Sequence, residues 1–139
     1  KEKAHRESIL DGVPPHLPSL LKAYRVQQKV SRVGFDWEKT EDVVAKLDEE
    51  VAEFKEALAS GTDGNAGDRM EDEMGDILFT MVNIARFLGI NAEDALNRTV
   101  KKFMDRFRAL EKEAAARGSK LEEMSPAELD GLWEAAKLR

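Results

Sequence analysis

The 139-residue chain has no cysteine. That excludes disulfides, thiolate zinc sites and a cysteine nucleophile. It has only two histidines, His5 and His16, both in a polar, proline-rich opening stretch, and neither is assigned any chemistry. A ferritin-like di-iron centre needs paired Glu-x-x-His motifs, and the sequence lacks them. No apolar run approaches the length needed to span a membrane, and the opening KEKAHRESIL is too polar for a signal peptide. Basic residues are not in excess. The net charge is -6, which argues against a protein that neutralises a nucleic-acid backbone, although a metal ion can still bridge an acidic protein to an acidic ligand. The chain shows no period-two alternation, low-complexity tract or internal repeat. There is no initiating Met.

What is present is helical. At this length one domain with a real core is expected, and 42% hydrophobic with 36% charged residues suits a soluble, helix-rich protein. Residues 1–16 read as a linker-like segment, and residues 17–139 as the folded domain. Pro14, Pro15 and Pro18 keep a first helix from starting before about Ser19, and Gly34 stops it. Thr40 as cap, with Glu41 and Asp42 in the first turn, starts a second helix that Gly61 ends. Asp68 and Glu71 resemble a capping box for a third, which runs to Leu88. Asn91 caps a fourth of about 25 residues. Ser125, Pro126 and Glu128 open a short last helix. The fold class is all-α.

Two acidic knots interrupt the most regular helices: LDEEVAEFKEAL, and RMEDEMGDILF after a glycine-rich break. At roughly 100° per residue, Val43, Leu47, Val51, Phe54 and Leu58 form an apolar stripe with Glu50 at its edge and Glu53 about 60° beyond. On the next helix Met70, Met74, Ile77, Met81, Ile84 and Leu88 form the stripe, Glu73 takes the edge and Asp76 lies about 60° outside it on the same flank. A short loop makes the two helices antiparallel neighbours, so equal-handed flanks meet on one side. Glu50, Glu53, Glu73 and Asp76 are thus expected to converge beside the packed seam. Unpaired, they would repel one another. An all-oxygen site of this kind suits Mg²⁺, with Mn²⁺ as a substitute, or else it is neutralised by Lys46, Lys55 and Arg69 as a surface ion network. The fourth helix carries a further stripe, Leu96, Val100, Phe103, Phe107 and Leu110, read as core or as a dimer face. Phe35 and Trp37 read as core or interface.

The acid pattern, EEVAE (Glu49, Glu50, Glu53) followed by EMGD (Glu73, Asp76), resembles the EExxE…ExxD signature of the MazG family of nucleoside triphosphate pyrophosphohydrolases. DGVPPHLPSLLKAYRVQQKVSRVGFDW, KKFMDRF and ELDGLWEAAK are similar to further segments of that family, in order, so that nearly the whole chain after residue 9 is covered. The resemblance implies a four-helix-type bundle with a short C-terminal helix that forms a homodimer. It implies Mg²⁺-dependent cleavage of NTPs or dNTPs at the α–β phosphoanhydride, giving the monophosphate and pyrophosphate. It makes Glu50, Glu53, Glu73 and Asp76 the metal ligands and Glu49 a residue behind them or one that activates water. Lys102 and Arg106 match the family's phosphate-contacting positions, and Trp133 matches a position near the nucleotide. Lys46 and Arg69 lie on the acidic flank and join them as substrate-binding candidates. A cytoplasmic enzyme with no membrane or nucleic-acid partner is expected, corresponding to the second domain of a tandem protein. Two alternatives stay open: a non-catalytic helical dimer or regulatory module, and a base-specific pyrophosphatase for dUTP, dCTP or a phosphoribosyl-ATP.

Overall fold

The computed structural model describes residues 7–61 and 66–138. His5 therefore lies outside the described residues, and His16 is exposed. Among them every regular element is helical: α1 (Ser19–Ser31), α2 (Thr40–Ser60), α3 (Ala66–Phe87), α4 (Ala92–Ala116) and α5 (Pro126–Lys137), with 3₁₀ turns at Ile9–Gly12 and Leu121–Glu123. None of these helices is long and apolar enough to cross a membrane. The chain divides into two compact units, Lys1–Glu93 and Asp94–Arg139.

Local signals account for most boundaries. The first 3₁₀ turn, inside the stretch read as linker, is held by a capping box between Ser8 and Asp11. α1 ends as a glycine-closed turn: Gly34 takes φ +90°, and the Phe35 N–H reaches back to the Val30 carbonyl at 3.1 Å. Thr40 is the first residue of α2 rather than its cap; Lys39 takes the cap position without a side-chain hydrogen bond. α3 starts at Ala66, so Asp68 sits in its first turn instead of ahead of it. α5 opens with the expected box, in which Ser125 Oγ accepts from the Glu128 N–H at 3.1 Å and Glu128 accepts from the Ser125 N–H at 2.8 Å.

In the first unit α2 and α3 form a helical hairpin, with α1 packed on α3. The most buried line of α2 is Val43, Glu50 and Ala57. Successive members of this line are about 20° apart around the helix, so Glu50 lies on the buried axis and not at its edge. α3 buries Thr80, Val82 and Asn83. In the second unit α4 and α5 enclose Leu110, Ala114 and Leu132, against which Trp133, Leu121, Met124 and Leu129 pack.

The apolar stripes do not all become core. Leu58 on α2, Met74 and Met81 on α3, Leu88 just beyond it, and Leu96, Val100, Phe103 and Phe107 on α4 are exposed. Hydrophobic periodicity marks a face that avoids water; it does not say whether this chain or another covers it. Phe35, expected in core or interface, is 77% exposed, and Trp37 is 38% exposed.

Candidate functional site

The hairpin register assembles the acidic residues. Glu53 and Glu73 stand equally far from the helix ends that face each other across the turn, and so do Glu50 and Asp76. Helical rise then puts both pairs at matching heights. Glu50, Glu73 and Asp76 each offer a carboxylate oxygen within 4.8 Å of the others. The fourth acid joins them: the Glu53 carboxyl is held above the ordinary carboxylate range, first by hydrogen bonding with Glu73, then by desolvation and by the charges of Glu73 and Glu50.

Burial grades this cluster. Glu50 is 5% exposed, Glu53 and Glu73 are half-buried, and Asp76 opens to solvent. Two oxygens, Oε1 of Glu50 and Oε2 of Glu73, are buried with no hydrogen-bond partner among the described residues. Buried acceptors of that kind are costly unless something supplies positive charge. Lys46 supplies part of it, with Nζ 3.0 Å from Glu50 and 2.9 Å from Glu49. These two contacts, Glu49 first, hold the ammonium above its ordinary pKa. One ammonium does not balance four clustered carboxyls. The donor set is all oxygen, partly dry and open on the Asp76 side, which fits a hard divalent cation.

The remaining sequence candidates divide between the units. Glu49 is exposed and lies on Lys46 at the border of the cluster. Arg69 is exposed on the first turns of α3 and makes no ion pair with a described residue. Lys102, Arg106 and Trp133 belong to the second unit. Lys102 is exposed, Arg106 half-buried, and neither is ion-paired to a described residue, whereas neighbouring Lys101 holds Asp105 at 2.8 Å. Trp133 packs on Phe103 with ring centroids 5.0 Å apart.

One group was not singled out from sequence. Gln27 of α1 is 3% exposed, and Asn83 of α3 is buried beside Arg86, which grips Asp36 with two hydrogen bonds of 2.7 and 3.0 Å. The signal was available: Glu73, Asp76, Thr80 and Asn83 follow helical spacing, a polar stripe that runs inward from the acids.

Comparison with known proteins adds a family match over residues 38–110, to the MazG nucleotide pyrophosphohydrolase domain. The nucleoside triphosphate pyrophosphohydrolase/pyrophosphatase MazG of Thermotoga maritima is 39% identical over 99% of this chain and 51% of its own length. The nucleoside triphosphate pyrophosphohydrolase of Escherichia coli K12 is 37% identical over 99% of this chain and 52% of its own length. A Bacillus subtilis protein, YabN, is 40% identical over 99% of this chain and 27% of its own length. The chain thus spans about half the length of the first two relatives.

Proposed function

Because the chain belongs to the MazG nucleotide pyrophosphohydrolase family, we propose that it hydrolyses nucleoside triphosphates at the α–β phosphoanhydride, releasing the monophosphate and pyrophosphate. The observation that carries this reading is the convergence of Glu50, Glu73 and Asp76 within 4.8 Å, with orphaned buried oxygens on the first two. Glu50, Glu53, Glu73 and Asp76 would hold Mg²⁺, or Mn²⁺ in its place. The bound cation supplies charge neutralisation at the phosphate oxygens and acidification of water.

The chain's own groups supply the rest. The four carboxyls concentrate negative charge that repels a bare triphosphate, which makes substrate capture dependent on the cation. Glu49, exposed at the border of the cluster, is our candidate for accepting the proton of the attacking water. Lys46 offsets the charge of Glu49 and Glu50 and, with Arg69, Lys102 and Arg106, is assigned to the phosphates. Trp133 is assigned to the nucleotide, with its packing on Phe103 fixing the ring. We assign the catalytic domain to residues 17–139 and its action to the cytoplasm, where nucleoside triphosphates are.

We also propose a homodimer. Exposed apolar side chains recur along α3 (Met74, Leu78, Met81) and along α4 (Leu96, Val100, Phe103, Phe107), more than a lone small domain leaves in water.

Pyrophosphate release from the eight common NTPs and dNTPs, with Mg²⁺ and with EDTA, tests the activity. Mg²⁺-dependent pyrophosphate with an equal amount of monophosphate is expected. Orthophosphate as the product, or turnover that survives EDTA, would overturn the reading.

A further inference from the structure

Two helices joined by a short turn are tied to each other at one end, and their far ends are free to slide and rotate unless something fastens them. In this hairpin the far ends are the start of α2 and the end of α3. Thr40 and Arg86 stand equally far from the helix ends that face each other across the turn, so they lie level at the open end. There Arg86 of α3 holds Asp36, just ahead of α2. We propose that the Asp36–Arg86 pair is a clasp that sets the register of α2 against α3, and so positions Glu50 against Glu73 and Asp76 for the cation. Both are positioning residues, outside the trio of converging carboxylates. The assignment rests on the cation reading above and names what keeps the ligands in place.

Three observations carry it. First, the pair is built to hold a direction. Nη1 and Nη2 of Arg86 donate to the two carboxylate oxygens of Asp36 at 3.0 and 2.7 Å. That planar, two-point grip fixes angle as well as distance. Each partner is braced in turn. The Trp37 N–H donates to Asp36 Oδ1 at 2.8 Å, Arg86 Nη2 also donates to Asn83 Oδ1 at 2.7 Å, and the guanidinium lies 5.1 Å from the centre of the Phe87 ring. The side chains of Arg86 and Asp36 are 14% and 26% exposed, so water screens them less than it does an ordinary surface bridge.

Second, the pair stands alone at this end. Among the described residues no other hydrogen bond or ion pair joins the connection between α1 and α2 to α3. Val43 is fully buried near the start of α2, but apolar burial is non-directional and permits the helices to slide.

Third, the acids between the two fastened ends push the helices apart. Glu50 and Asp76 lie about 15 Å from the level of Thr40 and Arg86 at 1.5 Å per residue. Facing like charges repel until a cation arrives. Rotating α2 by about 10° moves an atom about 5 Å from its axis by about 1 Å. Metal–oxygen distances tolerate only about 0.2 Å. A hairpin open at one end would therefore hold Glu50 too loosely against Glu73 and Asp76 to bind a small hard cation well.

Mn²⁺ affinity, read from the EPR signal of the free ion, tests the clasp in wild type, Asp36→Asn and Arg86→Lys. Each protein is measured at a temperature where circular dichroism shows it folded. Arg86→Lys keeps the charge and loses the two-point grip, so it serves even if Asp36→Asn does not fold. Ser8→Ala is the control, because it breaks the capping box of the first 3₁₀ turn, in the same unit but outside the hairpin. Both clasp variants should raise the Mn²⁺ dissociation constant about tenfold, the scale of one charge-assisted hydrogen bond. Ser8→Ala should leave it unchanged. Wild-type affinity in either clasp variant would overturn the clasp while the cation reading stands. An equal rise in Ser8→Ala would also overturn it, since any loosening of the unit would then do the same. A wild-type protein that binds no Mn²⁺ would overturn the cation reading itself, and the clasp with it.

Discussion

Replacing Asp76 with Asn should separate metal binding from folding. Asp76 is the exposed member of the trio whose oxygens lie within 4.8 Å, and no described residue pairs with it. The substitution removes one cation ligand and one like charge while keeping the size of the side chain. Ligand linkage stabilises a fold by about 2.7 kcal/mol when Mg²⁺ is at 100 times its dissociation constant. For a domain of this size 1 kcal/mol moves Tm by roughly 4 °C. The wild-type protein should therefore melt about 10 °C higher in saturating Mg²⁺ than in EDTA. The variant should lose most of that shift. In EDTA it should melt at or slightly above the wild-type temperature, because the repulsion that it relieves is present only in the metal-free state. Scanning calorimetry or a dye-based melt with both additives reads all four values. The same Mg²⁺ shift in the variant would remove Asp76 from the site. A lower melting point for the variant in EDTA would mean that this carboxylate serves the fold, and convergence would then be the wrong account of the cluster.

Other outcomes follow from single contacts. Arg86 holds the Asp36 carboxyl below its ordinary value of 3.8, chiefly through their hydrogen bonds. A depressed folded pKa adds stability that is fully present above the unfolded pKa and lost as pH falls through the folded one. The gap in urea midpoint between wild type and Asp36→Asn should accordingly be constant above about pH 5 and should close in stronger acid; a gap that widens in acid refutes the pairing. Ser125→Ala breaks the capping box and should cost about 1 kcal/mol in the second unit, visible as faster amide exchange in the first turn of α5; unchanged exchange there would show that the box contributes nothing. Lys102→Ala should lower kcat/KM for triphosphates at least tenfold, and an unchanged value would take Lys102 out of the site. Phe103→Glu, on the exposed face of α4, should halve the mass seen by light scattering, whereas an unchanged mass would move the dimer contact elsewhere.

Helix positions were legible because caps and glycines act locally: Ser125 with Glu128, and Gly34 and Gly61 at positive φ, need no tertiary context. The acid cluster was legible for a related reason. A short connection and a fixed rise per residue determine the relative height of Glu53 and Glu73 almost by themselves. Rotation about the helix axis was harder to read. Projection assigned the inside of α3 to Met74, Met81 and Ile84, yet Thr80 and Asn83 are buried and both methionines are exposed. Apolar residues were counted as inward and polar ones as outward, and in a helix that seals a charged site on one side and leaves an apolar face uncovered on the other, both assumptions fail at once. Gln27 escaped notice for the same reason, since a glutamine in an amphipathic helix ordinarily faces water.

Glu50 shares the most buried line of α2 with Val43 and Ala57, and that has a consequence for how such a sequence drifts. Substituting a well-packed apolar side chain for a buried charge is often neutral or stabilising. A leucine at position 50 would therefore strengthen the hairpin while removing an acid from the cluster. On stability alone an acid at this position is disfavoured, so Glu50 is a residue that the packing of the hairpin does not account for.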